Sequence, residues 1–408
     1  MTVCRFCETE LTREFADLGM SPLSNAYLKA EQLERAEPFF PLKAYVCTEC
    51  LLVQLPAVES PEKIFSDYAY FSSYSDSWLA HARTYCHAMI ERLGLDGTTG
   101  VVEIASNDGY LLQYFQEAGV PVLGVEPAEN VAAAARAKGI ETVSRFFGVE
   151  TAHALAAERP KPRLLLGNNV LAHVPDLNDF VAGLKILLAE GGTITMEFPH
   201  LMRLIDGNQF DTIYHEHFSY FSLLTAQRIF AAAGLTIFDV EELSTHGGSL
   251  RIYARHSEEG SEPGHRVVHL LATERDYGLE RLETYDRFAE QVRQTKRALL
   301  AFLIRAREEN KRVAGYGAPA KGNTLLNYCG VRTDFIDYTV DRSPHKQGLF
   351  LPGTHIPIHA PDRIRETKPD YVLILPWNLK DEIVRQMSDI REWGGRFVVP
   401  IPRVELLA

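Results

Sequence analysis

The 408 residues include 42 Lys and Arg against 54 Asp and Glu, a formal charge of −12, which argues against a nucleic-acid groove built on clustered cations. Hydrophobic residues at 46% and charged residues at 24% describe an ordinary globular protein, and the length predicts two or three domains. No stretch approaches the ~18 apolar residues of a membrane span and the start has no basic-then-apolar leader, so a soluble, cytoplasmic chain with no membrane partner is expected.

Six cysteines are too few and too unevenly placed for a disulfide scaffold in a chain this long. Four of them form two CxxC pairs, Cys4-Arg-Phe-Cys7 and Cys47-Thr-Glu-Cys50, whose thiolates suit one tetrahedral Zn²⁺. Four sulfurs leave no position for water or substrate, so the metal is read as structural, with a pair of redox CxxC sites as the alternative. The residues between the pairs, 8–46, imply a small subdomain. The run Asp67-Tyr68-Ala69-Tyr70-Phe71-Ser72-Ser73-Tyr74-Ser75 follows, rich enough in hydroxyls and aromatic rings to hold a polyhydroxylated ligand, or else to pack between modules. Residues 77–94 have helical periodicity.

Val101-Val102-Glu103-Ile104 reads as a strand, Ala105-Ser106-Asn107-Asp108-Gly109 as a loop of small residues, and the next segment as a helix. A second strand, 121–127, ends in Glu126-Pro127, and a helix over 129–138 follows. This is a nucleotide-binding βαβ half with an acid placed for ribose hydroxyls. The loop lacks GxGxxG, and Asp108 would repel phosphate while attracting a sulfonium or an α-amino group, which points to S-adenosylmethionine (SAM) rather than a dinucleotide. Candidate cofactor contacts are Glu103, Ala105, Asn107, Asp108, Gly109, Glu126, Pro127 and Asn169, with Phe146 and Phe147 flanking the adenine or belonging to the core. Strands at 164–166 and 192–198 around a helix at 176–188 continue a doubly wound α/β sheet.

Tyr214-His215-Glu216-His217-Phe218-Ser219-Tyr220 concentrates imidazoles, a carboxylate and phenols in one stretch. The spacing does not match HExxH, so acid–base chemistry is favoured over a second metal. His173 falls at the end of the fourth strand, where open α/β sheets bind ligands. Residues 264–311 are expected as one or two long charged helices. They lead to a strand and the turn Gly315-Tyr316-Gly317-Ala318-Pro319-Ala320-Lys321-Gly322-Asn323, in which backbone N–H groups and one lysine make an anion site, within a second Rossmann-like unit that lacks an NAD fingerprint.

These motifs, together with His246-Gly247-Gly248-Ser249-Leu250-Arg251 and the segment from Asp341 to Lys346, resemble the sugar C-methyltransferases that act on nucleotide-linked deoxysugars, the 3-C-methyltransferase of tetronitrose biosynthesis among them. The resemblance spans the whole chain and implies a zinc-binding module (1–76), a Rossmann-type class I SAM domain (77–260) and a Rossmann-like sugar-nucleotide domain (261–408). It implies His217 as base, with Tyr214, Glu216 and His173 around it and either Tyr68 or Tyr70 opposite. It also implies a dTDP-linked 4-keto-deoxysugar as substrate, with Tyr316, Gly317, Lys321, Asn323, Asp341 and Lys346 as its candidate contacts. Base-generated enolate chemistry at C3, beside the keto group, is the expected reaction. O-methylation of a sugar nucleotide or polyol is the alternative.

Overall fold

The computed structural model describes residues 2–59, 72–74 and 76–407, so Tyr68 and Tyr70 lie outside the described residues. The amino-terminal sheet is antiparallel, in the order Arg13–Ser21, Phe40–Val46, Val53–Gln54, Ser219–Tyr220. Its last strand comes from the Tyr214–Tyr220 cluster, far along the chain. Phe15, on the inner face of the first strand, stacks on Phe288 at 4.5 Å between centroids, which fastens this sheet to the carboxy-terminal helices.

The central sheet has seven strands in the order Leu235–Leu243, Ser249–His256, Thr193–Pro199, Leu164–Asn168, Val101–Ile104, Val122–Val125, Thr142–Val143. The last five are parallel; the first two are antiparallel additions. Val101–Ile104 is buried throughout, as expected of a strand covered by helices on both faces. The direction of strand succession reverses between Val101–Ile104 and Leu164–Asn168, and the crevice beyond their carboxyl ends is the ligand position of such sheets. The helix Leu177–Leu187 starts where the Asp176 carboxylate accepts the Asp179 N–H at 3.0 Å.

A six-stranded sheet ends the chain, ordered Ile358–His359, Thr339–Val340, Val313–Tyr316, Tyr371–Ile374, Arg396–Val399, Glu405–Leu407, parallel except for its last pair. The α/β class read from the sequence is therefore present, with two Rossmann-like sheets. The charged stretch 264–311 forms three helices rather than one or two: His265–Tyr277, Leu282–Asp286 and Phe288–Glu308. Gly278, with φ +103°, ends the first in a left-handed cap that a side chain would strain. Phe288, Val292, Thr295, Leu299, Leu303 and Ala306 line one buried stripe of the third at spacings of three and four. Among the described residues no helix is long and apolar enough to cross a membrane.

Candidate active site

The four cysteine Sγ atoms lie within 4.8 Å of one another, with Cys4 and Cys50 at 3.5 Å and Cys7 and Cys47 at 3.4 Å. Zn–S bonds of about 2.3 Å place tetrahedral sulfurs about 3.8 Å apart, so this donor set fits Zn²⁺ and leaves no open coordination position. Arg5, inside the first CxxC pair, donates to the carbonyls of Pro175 at 2.6 Å and Leu55 at 2.5 Å and lies over the Phe218 ring. The metal module is thereby tied to the segments that carry His173 and His217.

One cavity of about 430 Å³ opens at the carboxyl ends of the central strands and is walled by all three units. That volume suits a small-molecule ligand. On its central-domain side lie Ala105, Asn107, Glu126, Pro127, Phe146, Phe147 and Asn169. The Glu126 carboxylate accepts the N–H groups of Asn107 and Ala128, each at 2.9 Å, and so closes the loop that follows the first strand. Burial nevertheless raises its pKa, the two N–H donors opposing the shift. Ala105 and Asn107 hold φ of +55° and +52°, strained values for residues with a side chain, and present the loop to the cavity. Asn169 Oδ1 is buried with no hydrogen-bond partner among the described residues, and its Nδ2 meets His246 Nε2 at 3.0 Å.

Three of the cofactor candidates sit elsewhere. Glu103 is buried behind the loop, its pKa raised well above the ordinary value by burial and by the charges of Glu126 and Asp108, with Tyr110 opposing the shift. Asp108 turns away to an ion pair with Lys138 at 2.9 Å and a short hydrogen bond from the Ser73 hydroxyl, so it is not the bare acid its loop position suggests. Gly109 is a packing glycine: a Cβ there would stand 2.8 Å from Ile140.

The reactive cluster comes together as the sequence implies. Phe218 N–H donates to the Ala172 carbonyl at 2.7 Å, pulling the 214–218 segment against the turn Leu171–His173. The rings of His173 and His217 then meet edge-on at 4.7 Å. His217 Nδ1 lies 2.9 Å from the Thr212 carbonyl, which can only accept, so Nδ1 carries the hydrogen and Nε2 the lone pair. Tyr214 donates its hydroxyl to that Nε2 at 2.8 Å. Burial holds the His217 pKa well below the ordinary value, with the neighbouring His173 adding to the effect, and burial takes His173 to about 4. Both imidazoles are neutral near pH 7. Glu216, also buried, accepts Asn25 Nδ2 on both oxygens at 2.7 and 3.0 Å, and burial pushes its pKa up to about 7.

Sequence reasoning gave no site role to Asn25, Tyr27, Trp78, Thr212 or His246, the last of them named only within its motif, and all five line the cavity. His246 packs edge-on against Trp78 at 5.3 Å, and burial followed by the Lys321 charge lowers its pKa to about 4. Thr245, beside it, donates to Glu197 at 2.9 Å. Burial opposes ionisation of Glu197, but hydrogen bonds from His81 at 2.9 Å and Arg251 at 2.7 Å prevail and bring it to about 2. The available signal for His246 was the following Gly247-Gly248 pair, which lets the chain turn with φ of +91° and +118°.

Of the carboxy-terminal candidates, Lys321 and Lys346 line the cavity and four residues do not. Tyr316 points its hydroxyl toward Gln386 at 3.4 Å; Asn323 donates to the Ser24 carbonyl at 2.6 Å; a Cβ on Gly317 would collide with Pro376. Asp341 accepts the Ala318 N–H at 2.7 Å, so a carboxylate already occupies the turn that the sequence offered as an anion cradle. These four hold the loop rather than face a ligand.

Three family models match successive segments of the chain. Residues 4–65 match a zinc binding domain family, 78–240 a methyltransferase domain family and 244–402 the C-methyltransferase C-terminal domain family. Fold and site together define a SAM-dependent methyltransferase, an enzyme with a zinc-binding module. The chain is 38% identical over 408 residues to the C-methyltransferase NovU of Streptomyces niveus, across 99% of this chain and 96% of that protein. It belongs to the SAM-dependent sugar C-methyltransferase family. Similar solved structures include the magnesium protoporphyrin IX methyltransferase ChlM of Synechocystis with bound SAH (16% identity, TM-score 0.35, covering 47% of this chain and 91% of that chain). The 1,6-didemethyltoxoflavin-N1-methyltransferase of Burkholderia thailandensis is another (19%, TM-score 0.37, 50% and 94%).

Proposed function

We propose that this enzyme methylates the carbon beside the keto group of a dTDP-linked 4-keto-deoxysugar, with C3 as the position, in the cytoplasm. The domain reading is 1–76 for zinc, 77–260 for SAM and 261–408 for the sugar nucleotide. The observation that carries the chemistry is the neutral His217 at the shared cavity, whose Nδ1–H is spent on the Thr212 carbonyl so that the lone pair is left on Nε2, where the Tyr214 hydroxyl meets it.

Ala105, Asn107, Glu126, Pro127, Phe146, Phe147 and Asn169 would hold SAM: the lining, the unpaired Asn169 oxygen and the lack of a phosphate cradle all fit an adenosine with an amino-acid tail. Bound there, SAM supplies an electrophilic methyl group. His217 Nε2 removes the hydrogen α to the ketone, a general-base step worth roughly 10²–10⁴ in rate. Tyr214, released from Nε2 as the proton arrives, and His173 stand beside the developing enolate oxygen, where one well-placed donor contributes on the order of 3 kcal/mol. Glu216, whose pKa burial raises to about 7, holds a proton in part of the molecules near neutral pH and so carries less negative charge beside the base than an ordinary carboxylate would. Lys346, half-buried at the cavity wall, supplies a cation for the nucleotide diphosphate.

The test is incubation of the purified protein with a dTDP-4-keto-6-deoxysugar in D₂O, with and without SAM, beside the matching 4-hydroxy sugar. Deuterium at C3 without SAM and a C-linked methyl with it are expected. Deuterium at C5, the other carbon α to the ketone, would move the methylated position. Methylation of the 4-hydroxy sugar alone, without exchange, would overturn the base role of His217 in favour of O-methylation.

A further inference from the structure

Lys321 stands near the start of the helix Ala320–Cys329 and reaches the cavity from the carboxy-terminal side. Its Nζ donates to Asn378 Oδ1 at 2.9 Å and lies 4.5 Å from the ring centroid of Trp377. Trp377 in turn donates its indole N–H to Asp211 at 2.7 Å. Asp211, fully buried, belongs to the turn Phe210–Thr212, and the carbonyl of Thr212 is the group that fixes His217. One short piece of chain therefore anchors both the base and, through Trp377, the ammonium.

This placement is awkward in the resting enzyme. The Lys321 charge helps to depress the pKa of both His217 and His246, so it acts on the imidazoles across the cavity, and Asp211 lies behind it as a partial counter-charge. A cation beside a proton-accepting imidazole opposes the protonation that catalysis demands, unless negative charge appears between them at the same moment. Enolisation creates such a charge. Among the described residues the ammonium donates one hydrogen bond, to Asn378, which leaves further donors for it.

We propose that Lys321 is the cation that holds the enolate oxygen, not a ligand of the diphosphate. The assignment rests on the reading of the reaction given above. In the step, the C–H bond beside the ketone breaks, its proton passes to His217 Nε2, and its electron pair enters the enolate, whose charge settles on the former carbonyl oxygen. Lys321 keeps its protons and donates a hydrogen bond to that oxygen. Asp211 and Trp377 are positioning residues, acting only by fixing Lys321 and the Thr212 turn.

The experiment measures deuterium incorporation from D₂O into the dTDP-4-keto-6-deoxysugar without SAM, in the wild type, Lys321→Met and Lys321→Arg, together with calorimetric Kd values for dTDP and for SAM. Expected is exchange slowed about a hundredfold in Lys321→Met, in line with loss of one oxyanion donor. Partial recovery in Lys321→Arg and Kd values for dTDP and SAM within about threefold of the wild type complete the expected pattern, because neither ligand carries the reacting oxygen. Unchanged exchange in Lys321→Met overturns the proposal, as does a tenfold weaker dTDP affinity that accounts for the lost rate. A folded, SAM-binding wild type that shows neither exchange nor methylation of this sugar would remove the proposed reaction, and this assignment with it.

Discussion

The central and carboxy-terminal units build the same turn twice and use it differently. In each, an acid at the end of the second strand reaches back to hold a backbone N–H beyond the first: Glu126 holds Asn107, and Asp341 holds Ala318. In the central unit the acid itself borders the cavity and the loop bears no cation toward it. In the carboxy-terminal unit the acid is withdrawn and the lysine at the helix start borders the cavity instead. The shared backbone device fixes where a ligand sits; which side chain remains at the wall decides whether that ligand is a cation or an anion.

The place where the two units meet is expected to give the largest effect. His217→Ala should reduce turnover by about a thousandfold while leaving SAM affinity within a few fold, because in the proposed reaction the imidazole serves the reacting carbon rather than either ligand's binding. Calorimetry for SAM and a methyl-transfer assay check this; near-normal turnover would take His217 out of the mechanism.

Glu216 sharpens the contrast from another side, since it is an acid whose pKa the fold raises toward neutrality. Its pKa rises on folding from 4.5 to about 7, so its contribution favours the folded state below 4.5 and is lost progressively as pH climbs from 4.5 through 7. Replacement by glutamine removes the dependence. Comparing thermal or urea denaturation of the wild type and Glu216→Gln at pH 5 and pH 8 should show the variant gaining on the order of 3 kcal/mol relative to the wild type at the higher pH. An identical stability gap at both values would show that Glu216 is ionised throughout.

Glu126→Ala breaks one half of the comparison. Loss of the acid removes both the proposed ribose acceptor and the clamp on the 105–109 loop, and SAM affinity should fall roughly tenfold to a hundredfold, as for a hydrogen bond to a charged group. Affinity for the sugar nucleotide should be unchanged. Equal loss of both ligands would mean that the loop, not the ligand contact, was damaged.

The parts of the site that were legible in the sequence are those encoded locally. Val101–Ile104 and Val122–Val125 announce themselves as apolar runs ending in small residues or an acid, and the paired CxxC motifs need only a turn between thiolates. His217 and Tyr214 are three residues apart, so their hydrogen bond belongs to one turn of chain. Asn25 was invisible because its meaning lies in a contact with Glu216 from a distant part of the chain. The same long-range logic misplaced Asp108, whose charge is offset by Lys138 at the end of the helix Glu129–Ala137, and Asp341, whose carboxylate is spent on a backbone N–H. An acidic residue in a loop shows its charge in the sequence but not its partner.

The smallest effect belongs to the other half of the comparison. Lys346 donates to the Ala318 carbonyl at 2.8 Å and lies 5.2 Å from the Tyr27 ring centroid, so part of its charge already serves the same turn that Asp341 holds. A cation so engaged, at the wall of a cavity that admits solvent, contributes modestly to binding an anion and is screened by salt. Lys346→Met should therefore weaken dTDP-sugar binding only about threefold to tenfold, with the deficit shrinking as ionic strength rises, and should leave SAM affinity untouched. That is the mirror image of Glu126→Ala, and titrating both ligands into both variants makes a closed test. If Lys346→Met also weakens SAM, the two turns are coupled through the shared cavity rather than specialised, and the division of charge between the units is a consequence of packing instead of ligand choice.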